Sequence, residues 1–107
     1  MSVNKVILLG YVGNDPEVRY PDKDRVIASL SLATNEIRGA ARIETTEWHS
    51  LMFGGENARI VERYVRKGTQ LYVEGYLHTR EFEDRMKIIR RKTEIIVEKF
   101  EILGRKA

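Results

Sequence analysis

At 107 residues the chain is long enough for one domain with one core, which at this size buries roughly two-thirds of the unfolded surface. Nineteen Lys and Arg against sixteen Asp and Glu give a net charge of +3, a mild surplus that favours polyanions without requiring them. With no cysteine and two histidines the chain has no disulfide framework, no thiolate nucleophile and no structural zinc site of its own, so no cofactor is expected.

Val3 to Val12 is a nearly unbroken β-branched and aliphatic run ending in Gly13-Asn14-Asp15-Pro16, a dense turn signal, and reads as the first strand. Glu17 to Tyr20 alternates polar and apolar, and Pro21 to Asp24 turns the chain. Val26 to Thr34 then places Val26, Ala28, Leu30 and Leu32 on one face of a second strand. Ile37 to Glu44, with Gly39 and two alanines among charges, reads as a projecting loop, and Thr45 to Phe53 as a third strand. After Gly54-Gly55 the period changes. Ile60, Val61, Tyr64 and Val65 predict an amphipathic helix of about three turns, with Arg66 and Lys67 at its C-terminal dipole and Gly68 as a left-handed cap. Thr69 to Thr79 and Lys92 to Leu103 are two further strands, joined by a hairpin arm from Arg80 to Arg91.

Three strands, a helix and two strands predict an all-β protein: a five-stranded Greek-key OB-fold barrel with one α-helix between strands 3 and 4, occupying residues 1–107 as a single domain. That fold binds oligonucleotides or oligosaccharides and does not choose between them. The N-terminus has no apolar h-region and no run is long enough to span a bilayer, so the expectation is a soluble cytoplasmic protein without a membrane partner. Enzyme readings lack a foothold: the chain has no phosphate-binding glycine loop, no nucleophile elbow and no H-E-x-x-H.

Specific blocks carry the reading further. Val3-Asn4-Lys5-Val6-Ile7-Leu8-Leu9-Gly10 and Val12-Gly13-Asn14-Asp15-Pro16-Glu17-Val18-Arg19-Tyr20 closely resemble the opening of bacterial single-stranded DNA-binding proteins. Leu32 to Glu36, Thr46-Glu47-Trp48-His49, Tyr64 to Gly75 and Ile102-Leu103-Gly104-Arg105 match further blocks in the same order. The resemblance implies a homotetramer that wraps single-stranded DNA with little sequence preference during replication, recombination and repair, close to the nucleoid. Carried over by position, the stacking aromatics are Trp48 and Phe82. Where many members carry another aromatic after the second strand, this chain has Ile37-Arg38. Its Phe53 falls one residue early, beside Gly54, and is either a core residue or restored to the DNA face by a bulge. The chain ends at Ala107 without the acidic tip through which full-length members recruit replication and repair proteins.

Single-strand binders combine a basic groove with aromatic faces. Among many basic residues, Lys5, Arg19, Arg80 and Arg91 are the expected phosphate contacts, with Arg38 replacing a lost aromatic through its planar guanidinium. Against these stand ordinary roles: a lone Trp is commonly buried, Phe82 can pack the arm on the barrel or a neighbour, and a charge run is commonly a solvated face. Tyr72 and Tyr76 are expected at a subunit contact, with Glu74 between them paired to a basic residue across a strand. The rival function is an assembly module of the same fold with weakened DNA binding, primosome-type or a divergent paralogue. RNA binding in the cold-shock manner is a third reading, disfavoured by the sparse aromatics.

Overall fold

The computed structural model describes residues 1–105. Its elements are β1 (Val6–Val12), β2 (Glu17–Asp22), β3 (Arg25–Arg38), β4 (Ile43–Gly54), α1 (Glu56–Tyr64), β5 (Thr69–Glu83) and β6 (Ile89–Arg105). β1 pairs antiparallel with both β5 and β3, β3 with β4, β5 with β6, and β4 runs parallel to β6, so the pairings of five strands return to β1. Two seams of that ring are thin: β1–β3 and β4–β6 share two residue pairs each. β2 lies outside the ring and pairs with the free part of β3. The expected OB-fold topology is therefore present, with the helix between the third and fourth strands of the ring, β4 and β5.

The turn after β1 follows from its chemistry. Asn14 Oδ1 accepts from the Ser31 amide at 2.9 Å and Asp15 Oδ1 from the Lys67 amide at 2.8 Å, so two short polar side chains tie the end of β1 to β3 and to the approach to β5. Upstream, the first strand is shorter than its apolar run. Asn4 accepts from the Leu77 amide and donates to the Leu77 carbonyl, both at 2.9 Å, so its side chain continues the β1–β5 ladder where the backbone has left it.

Three expectations are corrected. Residues 37–44 are not a loop: β3 runs to Arg38 and β4 starts at Ile43, leaving a four-residue turn in which Gly39 and Arg42 take positive φ of 77° and 53°. The cross-strand pairs Ile37↔Glu44 and Arg38↔Ile43 satisfy the backbone there despite the charged sequence. α1 ends at Tyr64, and Gly68 (φ 91°) serves the turn into β5, not the helix cap. Arg66 does close the helix end, since its Nη1 donates to the carbonyls of Glu62 and Val65. Phe53 is a core residue.

The reason for the last point is alternation. Leu51 and Phe53 on β4 point inward with Val26, Ala28, Leu30 and Leu32 of β3, and meet Leu71 and Val73 of β5 and Ala58, Val61 and Val65 from α1 and its end. Phe53 is 1% exposed and packs edge-on against Phe100, ring centroids 5.2 Å apart. No bulge intervenes between β3 and β4, so nothing turns it outward. Close backbone approach fixes Gly75, where a Cβ would fall 2.0 Å from the Ile96 carbonyl oxygen, within the β5–β6 pairing.

Phe53→Ala should lower folding stability by about 3–5 kcal/mol, read by urea denaturation, as loss of a fully buried aromatic does. A loss of nucleic-acid affinity at unchanged stability would instead place the ring on the ligand face.

Candidate nucleic-acid interface

Alternation along β4 sends Trp48, Ser50, Met52 and Gly54 outward, opposite Ala33, Ser31, Ser29 and Ile27 of β3. Trp48 is 60% exposed, and its indole lies over Gly13, where a Cβ would fall 2.3 Å from Cζ3. Gly13 thus leaves the room that the large ring occupies, and the ring stays mostly exposed. The parallel pairs Leu51↔Ile95 and Met52↔Ile96 set β6 beside β4. A polar depression of about 170 Å³ spans that seam, lined by Asn14, Ser29, Ser31, Ser50, Lys92 and Glu94 among others. Its hydroxyls, amide and ammonium suit phosphate and base edges.

The β5–β6 arm extends this surface. On β5 the strand face of His78, Arg80 and Phe82 lies opposite Glu94, Lys92 and Arg90 of β6. Glu94 is 3% exposed and accepts from Arg80 Nε at 2.6 Å, and the Arg80 guanidinium carbon lies 5.2 Å from the centre of the Phe82 ring. A buried carboxylate without a partner is costly, so Glu94 holds Arg80, and Arg80 holds Phe82 by cation–π attraction. Phe82 stays 38% exposed. Arg80, expected as a phosphate contact, is placed here as a positioning group for the Phe82 ring.

At the arm's tip Asp84 accepts from the amides of Met86 (2.8 Å) and Ile88 (3.0 Å) and from Arg90 Nε (2.8 Å). Arg90 first, then the Ile88 and Met86 amides, hold its carboxyl below the usual carboxylate range.

The other expected contacts divide. Arg19 belongs to the Trp48 face, paired in register with Ile27, and forms no ion pair among the described residues. Arg38 does not: it shares the strand face of Thr34 and His49, opposite to that of Trp48, and its guanidinium is bound to Glu36. Ile37, its neighbour, occupies the Trp48 side. Arg91 pairs with Glu81 on the reverse of the arm from Phe82, at 3.8 Å. Lys5 is bound to Glu74 at 3.1 Å on the outer side of β1 and β5, about 20 Å along β5 from Arg80 at strand rise. This is the cross-strand partner expected for Glu74, whose carboxyl Tyr72 and Lys5 hold low. Reading by residue type counts Lys92 and Arg90 only among the many basic residues, without preferring them, whereas the register puts both on the Phe82 side. Counting in twos through the hairpin from Phe82 would have found both.

A sequence model of the family described as "Single-strand binding protein family" matches residues 3–103. The chain belongs to this family. It is 43% identical over 111 residues to a single-stranded DNA-binding protein of Bacteroides thetaiotaomicron, covering 99% of this chain and 69% of that one. With the single-stranded DNA-binding protein of Rhizobium meliloti it shares 44% identity over 104 residues, 92% of this chain and 60% of the relative. Among solved structures, a Plasmodium falciparum SSB in complex with ssDNA is similar with a TM-score of 0.84 and 32% identity over 97% of both chains.

In this member of the family the tip of the β5–β6 arm has a built-in pH limit. A carboxyl whose folded pKa is depressed stabilises above its unfolded value, about 3.9, and loses that contribution as pH falls through the folded one. The Met86 and Ile88 amide resonances should therefore hold constant from neutral pH through the ordinary aspartate range and move only below it. In Asp84→Asn that acid transition should vanish; a midpoint at or above 3.9 in the parent chain would contradict the bonding.

Proposed function

We propose that the chain binds single-stranded DNA with little sequence preference, protecting and organising it during replication, recombination and repair, and that it does so as a homotetramer without catalysing a reaction. The observation that carries this is Trp48: a tryptophan 60% exposed on a strand, on a face that also holds a polar seam with Lys92 and a second exposed aromatic, Phe82. Each stacked base contributes about 1–3 kcal/mol, and because every base has a π-face, affinity comes without sequence readout. Similarity to a protein solved with ssDNA supports the same reading. The partner implies a cytoplasmic, nucleoid-associated location.

Assembly rests on a different surface. Ile7 and Leu9 on the outer side of β1 are 56% and 53% exposed. They line a cleft of about 590 Å³ between β1 and the β3–β4 arm, with Thr34, Glu47 and His49 opposite. Exposed aliphatic side chains beside an open cleft suit burial against a second copy.

Oligo-thymidine should quench Trp48 strongly, with an affinity that falls as salt rises, log K against log salt having a slope of about −0.7 for each phosphate neutralised. Phe82→Ala should weaken binding by about 1–3 kcal/mol at an unchanged melting temperature. Absence of quenching and of binding by anisotropy would leave an assembly module.

By light scattering the native mass should be about four times the 12.5 kDa chain. Leu9→Asp should reduce it; a 12.5 kDa native particle would remove the tetramer.

A further inference from the structure

Beyond Trp48 the same sheet face continues toward the helix. Arg19, Ile27 and Gly54 form one row across β2, β3 and β4, six residues and about 20 Å along β4 from Trp48. A Cβ on Gly54 would meet nothing within 4 Å, so the surface beside Ile27 is open. There a depression of about 480 Å³ is lined by Arg19, Tyr20, Pro21 and Ile27: two rings and an aliphatic chain beside one guanidinium.

Tyr20 is the ridge between this depression and another of about 360 Å³ lined by Tyr20, Arg59, Glu62 and Arg63. The Tyr20 hydroxyl donates to Glu62 Oε1 at 2.5 Å, which fixes the ring and occupies one carboxylate oxygen. Arg59 and Arg63 are one turn apart on α1, both exposed, and neither forms an ion pair among the described residues. Like charges at this spacing destabilise a helix. A polyanion laid across them relieves that repulsion.

We propose that this surface continues the nucleic-acid track: a base lies in the depression against Tyr20 and Pro21, while Arg19, Arg59 and Arg63 hold phosphates to either side and carry a single strand from the Trp48 face onto α1. The inference rests on the ssDNA-binding reading of that face and lengthens it. The chemistry favours a nucleic acid over an acidic peptide, because a carboxylate-rich chain would use the arginines and leave the ring-lined depression unfilled. A base flanked by phosphates fills both.

The test compares the parent chain with Arg59→Gln/Arg63→Gln, using oligo-thymidine of about 8 and about 16 nucleotides, within the range one OB-fold occupies. With the short strand, Trp48 quenching and affinity should be the same in both proteins. With the long strand, the variant should bind more weakly at low salt, and its salt dependence should be shallower by about 1.4, two phosphates at 0.7 each. Tyr20→Phe should keep long-strand affinity and Tyr20→Ala should lose it, since the ring and not the hydroxyl meets the base. Intact Trp48 quenching with an unchanged long-strand slope would overturn the track alone, even were a glutamate-rich peptide to bind the arginines. Failure of quenching with both strands in the parent chain would overturn the ssDNA reading and the track together.

Discussion

A strand delivers its side chains alternately to two faces, and β4 must serve both at once. Its inward residues, Leu51 and Phe53, are among the largest buried groups of the core, while Trp48, Ser50 and Met52 form the middle of the outer surface. Neither set can move without the other. A one-residue slip against β3 would carry Phe53 into water and Trp48 into the core, so burial of the phenylalanine is what fixes exposure of the tryptophan. The twelve β3–β4 pairs run without a bulge from Ile27↔Gly54 to Arg38↔Ile43, which transmits that register to the end of the arm. The outer surface is in this sense held in place from inside the barrel.

The arms show a second use of the same economy. Five of the six ion pairs among the described residues lie on hairpins: Arg25 with Asp22, Arg38 with Glu36, Arg80 with Glu94, Arg90 with Asp84 and Arg91 with Glu81. Exposed pairs of this kind contribute little stability each. Their effect is on charge: an arginine held by a carboxylate presents less field to a phosphate than a free one. Arg19, Lys92, Arg59 and Arg63 on the outer sheet and helix are cations that form no ion pair among the described residues, as are Lys23, Arg42, Arg85 and Lys87 at the hairpin turns. Arg80 is the exception among the paired arginines, because Glu94 beneath it is buried and the ring above it is exposed.

Much of the fold was legible in the sequence, for identifiable reasons. The helix announced itself by a change of period after Gly54-Gly55, and the first turn by Asn14 and Asp15, whose side chains make the bonds that their types suggest. The β3–β4 arm was not legible. Gly39, Ala40 and Ala41 among charges have loop composition, and a two-stranded arm outside the core needs no apolar alternation, since its own ladder satisfies the backbone. Trp48 was placed on the outer face by resemblance, against the ordinary burial of a lone tryptophan. Composition could not show Gly13 beneath its ring, because that contact joins residues thirty-five apart in the chain. Charge alone does not separate Arg38, Arg91 and Lys5 from Arg80: all four are bound to a carboxylate, and what differs is where each stands. For Arg38 and Arg91 strand parity set the face. Face, once register is known, is a stronger guide than residue type.

Gly54 completes the argument about that outer face. It stands in the outward series of β4, in the row that joins Arg19 and Ile27, and its missing side chain leaves open space. An aromatic ring at this position would roof the sheet and offer its own stacking surface between Trp48 and β2. With glycine there, the exposed ring at the β2 end of the row is Tyr20, next to Arg19 and bonded through its hydroxyl to Glu62 on α1. The aromatic surface is thus displaced toward the helix, where Arg59 and Arg63 stand without partners. A strand following exposed rings and free cations outward from Trp48 meets little of either until it reaches that ridge, and the same glycine that removes a ring from the middle of the sheet leaves the path to it unobstructed.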